Sequence, residues 1–176
     1  MNGNTFSFKT PKPSATMYID FDIRSDKADL SALNAIIALD SEFFRIDSIK
    51  YIKRGSKLER APTVVYELND GGEIIKAIPQ SEFTGYDHWS FETKEYTDFV
   101  LVDSFISAFR QSLGDNFFRI REFIRNNEDN ALECHLCVVI KNADHNDFPA
   151  ISISLDNMNF LHELNADIDF DICFYS

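Results

Sequence analysis

Met17 to Arg24 read MYIDFDIR, and Ala166 to Ser176 read ADIDFDICFYS. The pentapeptide IDFDI occurs in both, at Ile19–Ile23 and Ile168–Ile172. Each stretch alternates apolar and charged residues, the period of a β-strand with two unlike faces. In the first, Met17, Ile19, Phe21 and Ile23 face one way and Tyr18, Asp20, Asp22 and Arg24 the other. A strand of this kind belongs to a sheet covered on one side only, with the apolar face on helices and the charged face open. The fold decision follows from that: an α+β domain of two layers, not a parallel sheet buried on both sides.

The rest of the chain supplies the other parts. Residues 1–15 contain TPKPSAT, and two prolines among small polar residues predict an extended, flexible lead-in to a single domain over 16–176. SDKADLSALNAIIALDSEFF, from Ser25 to Phe44, predicts a helix capped by Asp29 or Ser25. Asp47–Lys57 predicts a strand running into a basic loop. Two β-rich runs around Asn69-Asp70-Gly71-Gly72 predict a hairpin insertion over 62–79. HWSFET, at residues 88–93, predicts a further strand. Residues 97–127 carry an apolar stripe of Phe99, Val102, Phe105, Ile106, Phe109 and Leu113, resumed by Phe117, Ile120 and Ile124. That predicts two helices broken near Gly114. A strand over 131–142, a short strand ISISL, a helix capped by Asp156 and the closing strand complete the reading. The expected sheet is largely antiparallel, with helices packed on one face.

The chain of 176 residues carries 29 acidic residues against 17 Lys and Arg, a net charge of -12. Phosphate backbones would be repelled, which argues against nucleic acid and for a basic partner. No apolar run reaches the roughly 18 residues of a membrane span, and the N-terminus has no secretory pattern, so a cytoplasmic location is expected. Three cysteines argue against a disulfide framework. Cys134 and Cys137 form a Cys-x-x-Cys, but in a strand residues three apart point to opposite faces, so neither a metal site nor a redox pair is expected. Phosphate-binding, zinc-protease and nucleophile-elbow motifs are absent from the sequence, so an enzyme and a cofactor are not expected.

The charged residues offer two candidate sites. The first and last strands place Asp20, Asp22, Asp167, Asp169 and Asp171 on the open face, with Glu133 and His135 as additions from the strand between. Asp144 and Asp147 sit in a nearby polar loop with His145. Such a cluster is screened by Lys and Arg, binds a cation, or meets a basic partner. The basic stretch KYIKRGSKLER, with Lys50, Lys53, Arg54, Lys57 and Arg60, gives the other candidate: a pocket of Arg54, His88 and Trp89 for a small anion or ligand.

The arrangement resembles the bacterial domain-of-unknown-function family 4279 over residues 17–175. The resemblance rests on the opening strand and Leu-rich helix, on Lys53-Arg54-Gly55, on Trp89-Ser90 and on the closing ISLDNMNFLHELNADIDFDICFY. The chain departs from that pattern in a longer stretch from Ser56 to Asp87 and in Cys173, where Tyr is common. Some proteins of this kind look like immunity proteins encoded beside secreted toxins. The resemblance therefore implies a cytoplasmic inhibitor that blocks the active site of a cognate, basic toxin such as a nuclease, with no catalytic residues of its own. The alternative is a regulatory module that binds a small molecule or metal without catalysis.

Overall fold

The computed structural model describes residues 15–57, 64–68, 74–79, 84–97, 101–143 and 149–174. The proline-containing lead-in, Ala15 apart, falls outside them. Strand β1 (Thr16–Ser25) is the middle of a five-stranded sheet. On one side it pairs antiparallel with β5 (Asp87–Thr93), and β5 pairs antiparallel with β2 (Phe44–Ile52). On its other side β1 pairs antiparallel with β6 (Glu133–Ala143), and β6 pairs in parallel with β7 (Ala166–Phe174). The order across the sheet is β2-β5-β1-β6-β7. The two IDFDI strands are therefore not neighbours: β6 lies between them. The predicted hairpin forms a separate two-stranded sheet of β3 (Val64–Leu68) and β4 (Ile74–Pro79).

Alternation in β1 is realised as read. Met17, Ile19, Phe21 and Ile23 are at most 1% exposed. They join Trp89 and Phe91 of β5 and Leu136, Val138 and Ile140 of β6 in one core, which also takes in the buried faces of the helices. Those helices are α1 (Ser31–Ile36), α2 (Val102–Leu113), α3 (Asp115–Asn126) and α4 (Leu155–Glu163). Phe109 on α2 is the hub: its ring centroid lies 6.2 Å from Phe21, 5.9 Å from Phe44, 6.0 Å from Phe91 and 6.2 Å from Phe160. Phe thus serves mainly to fill the space between sheet and helices, where aromatic pairs add to simple area burial. Gly114 separates α2 from α3 with φ 52° and ψ -127°, a conformation closed to residues with a Cβ. No helix among the described residues is long and apolar enough to cross a membrane.

Four local expectations are corrected. The helix expected over Ser25–Phe44 shrinks to α1, because Ala38 is held outside it. The Asn116 amide donates to Ala38 O at 2.8 Å and accepts from Ala38 N at 3.0 Å, so tertiary bonds replace helical ones. Ser25 and Asp29 act in the turn before it: Ser25 Oγ accepts from Ala28 N at 2.8 Å, and Asp29 Oδ1 from Ser31 N at 2.9 Å. Strand β2 starts three residues earlier than read and ends at Ile52, before Gly55, whose φ is 80°. ISISL forms no strand; Ala150 alone bridges to Leu101. The cap of α4 is Ser154, whose hydroxyl accepts from Asn157 N at 3.4 Å, rather than Asp156, which lies inside the helix.

Candidate protein-binding face

The strand registers lay out the open face as rows. Lys50, Ser90, Asp22, His135 and Asp167 form one row, running from β2 across β5, β1 and β6 to β7. Arg45, Glu92, Asp20, Cys137 and Asp169 form the next. Tyr18, Val139 and Asp171 continue the pattern, and Arg24 sits between His88 and Glu133 at the other end. All five predicted strand aspartates share this face. Asp20 stands level with Asp169, and Asp22 with Asp167, each pair separated by one strand and hence by about 10 Å.

Charge is not evenly balanced over the rows. On the β1–β5 side Asp22 and Glu92 have partners. Arg24 grips Asp22, with Nε 2.8 Å from Oδ1 and Nη2 donating to Oδ2 at 3.3 Å. His88 Nε2 lies 3.7 Å from the same Oδ1. Burial holds the His88 imidazole below its usual range, against the pull of Asp22, so it is neutral at pH 7. Arg45 Nη1 donates to Glu92 Oε2 at 2.8 Å, and Lys141 Nζ to Glu95 Oε1 at 2.7 Å. On β7 the pattern reverses. Asp167, Asp169 and Asp171 are exposed and make no ion pair among the described residues, and the Cys173 thiol lies 4.0 Å from Asp171.

Asp20 carries the cost of this crowding. Burial, then Asp22 and Glu92, push its carboxyl up to about 6, with Lys50 and Arg24 opposing. Its neighbour Cys137 is also raised, by burial and by Asp171, Asp20 and Asp169. A thiol held protonated is a poor nucleophile and a poor metal ligand. Cys134 points into the core and is pushed up to about 12 by burial, so the Cys-x-x-Cys divides between the two faces as its spacing implies. Among the described residues, no three His, Cys, Asp or Glu side chains gather to hold a metal ion.

The second candidate site does not assemble. Trp89 is fully buried on the core face, where its indole Nε1 donates to Asn34 Oδ1 at 2.9 Å. His88, the preceding residue, points to the open face, and the Arg54 side chain is exposed in the loop after β2. Adjacent strand residues face opposite ways, so Arg54, His88 and Trp89 cannot line one pocket. Grooves of about 390, 440 and 450 Å³ lie instead among the helices, beside His162, Arg119 and Phe118 in turn, and none contains these three residues. Asp144, Asp147 and His145 fall outside the described residues.

Sequence reading missed two components of the face. Glu92 was not singled out, although its register with Asp20 supplies part of the repulsion there. The position of β7 at the sheet edge was also not legible, because it depends on which strand pairs with β6. No family model, curated protein or solved structure matches the chain.

Proposed function

We propose that this chain is a non-enzymatic binding protein that neutralises a basic protein partner, acting as a bacterial immunity protein does against its cognate toxin. The observation that carries the reading is the row of carboxylates at Asp167, Asp169 and Asp171, without ion pairs among the described residues and level with Asp20 and Asp22 across β6. Charges left without internal partners on a regular strand do little for stability. They do steer an oppositely charged protein toward the face and fix its register there. A toxin that uses a basic surface to hold nucleic acid would present the complementary pattern, and covering that surface would block its active site. Such an inhibitor works in the cytoplasm of the cell that makes the toxin. The family resemblance supports the same reading.

The test is a titration against the basic toxin domain encoded beside the gene, at low and at high salt. Tight binding should weaken as salt rises, because exposed charges are screened beyond about 10 Å at 0.1 M. The triple variant Asp167→Asn, Asp169→Asn, Asp171→Asn should slow association by about tenfold while leaving the unfolding midpoint unchanged within error. Binding that ignores both salt and the triple substitution would sink the proposal.

A further inference from the structure

Among the described residues, strand β7 is an open edge. Its only strand neighbour among those residues is β6, and the register between the two runs unbroken from Cys134↔Ala166 to Lys141↔Cys173. Its outward backbone N–H and C=O groups therefore offer a regular template for another strand. The opposite edge differs. The pairing of β2 with β5 is interrupted between Arg45 and Lys50, and an irregularity of this kind spoils an edge as a template.

The two faces of β7 are also prepared unequally. On the open face stand Asp167, Asp169 and Asp171. On the helix face Ile168, Phe170 and Ile172 are only half-buried, although they pack against the core. Helix α4 lies over this side of the sheet. Its Glu163 side chain turns toward α3, where Arg121 pairs with it. Helical spacing, at about 100° per residue, then turns Met158 away from that side, and it is 56% exposed. An arriving strand would meet carboxylates along one of its faces and apolar surface along the other.

We infer that β7 is a strand-addition edge for an extended segment in which Lys or Arg alternates with apolar residues. This deepens the proposed function and rests on it: the segment belongs to the basic partner. Strand addition draws affinity from main-chain hydrogen bonds and specificity from alternate side chains. Basic side chains of the added strand would stand about 5 Å from the β7 aspartates, and its apolar ones beside Phe170, reaching toward Met158. A second copy of this chain is the wrong occupant, because β7 against β7 sets Asp beside Asp.

The probe is a fluorescein-labelled nine-residue peptide of alternating Lys and Val. Its controls are a peptide of the same composition with the lysines in one block, and the alternating peptide N-methylated at every second residue. Anisotropy titrations against the whole protein should show the alternating peptide binding at least about tenfold tighter than either control. Amide exchange followed by NMR should slow at alternate residues of Ala166–Phe174 when that peptide is bound. Equal binding of all three peptides, without protection of β7, would overturn strand addition and leave the acidic face as a docking surface of charge alone. No binding of any peptide at low salt would overturn both. Protection of β7 that rises with protein concentration in the absence of peptide would identify a second copy as the occupant and refute the basic one.

Discussion

Replacing Asp20 by Asn should make the protein more stable at neutral pH, and the gain should vanish in acid. Asp20 sits at the centre of the open face, and its carboxyl is pushed from the usual 3.8 up to about 6, first by burial and then by Asp22 and Glu92. That gap is about 3 kcal/mol against the charged form if the site were dry, at about 1.4 kcal/mol per factor of ten. Asp20 is only partly buried, and water and the nearby Lys50 and Arg24 screen it, so the working figure is roughly 1–2 kcal/mol. The folded state binds this proton more tightly than the unfolded chain does. The group's favourable contribution is therefore complete below about pH 4 and is lost as pH rises through about 6. An asparagine in its place carries no charge at any pH. Urea titrations of both proteins between pH 3.5 and 8 would read the difference, with Trp89, the chain's single tryptophan and a buried one, as the fluorescent reporter. The variant should gain about 1 kcal/mol at pH 7 and nothing at pH 4, with the change centred between. A loss of stability at pH 7, or a gain of equal size at both ends, would refute the account of Asp20 as a strained carboxylate.

Three further outcomes are expected. Phe109→Ala should cost about 3–5 kcal/mol in the same urea assay, because four rings close on Phe109 and cannot all collapse into its space; a cost under about 1.5 kcal/mol would contradict its role as hub. Asn157 is fully buried on α4, and its Nδ2 donates to Asp103 O at 2.9 Å and to Ser107 Oγ at 3.0 Å. Asn157→Leu should therefore cost about 2 kcal/mol by stranding those acceptors, and Asn157→Asp should not restore it. Gly114→Ala should lower stability by about 1 kcal/mol or more and reduce helical circular dichroism little, since nothing crowds a Cβ there and only the backbone angle objects.

The parts of the fold that announced themselves were those with a strong period. β1 and β7 alternate so strictly that both faces were readable, and the α2–α3 stripe from Val102 to Ile124, with Gly114 between, is found in the helices, while Phe99 lies outside the described residues. What failed was decided by contacts distant in sequence. SALNAIIAL has the composition of a longer helix, yet Asn116 and the Arg119 guanidinium, which donates to Ile36 O at 2.7 Å, take the backbone groups at its end. ISISL alternates like a strand, but residues 151–154 find no strand partner among the described residues and instead lead into the cap of α4. The candidate face was legible as a list of aspartates and not as a charge pattern. Arg24 could be seen beside Asp22 in the sequence, whereas the contrast between Asp22 and Glu92, each held by an arginine, and the β7 aspartates, without ion pairs among the described residues, exists only once the strands are ordered. The Arg54 pocket failed on the same alternation that served β1 well, because Trp89 and His88 are neighbours and so face apart.

The central place of β1 has a consequence for how the molecule is made. Both of its partners, β5 and β6, come later in the chain. A ribosome that has released Ser25 needs roughly 5–20 s more to reach Glu133. Through that interval the apolar side of the first strand, with Met17, Ile19, Phe21 and Ile23, has no β6 beside it, and through most of it no α2 above it. Folding is then governed by long-range closure rather than by local pairing, which makes it slow for a protein of this size. The nascent chain should be a client for whatever shields exposed hydrophobic segments at the exit tunnel. The aspartates that alternate with those apolar residues give it a measure of protection meanwhile, since a strand charged at every second position is a poor seed for aggregation.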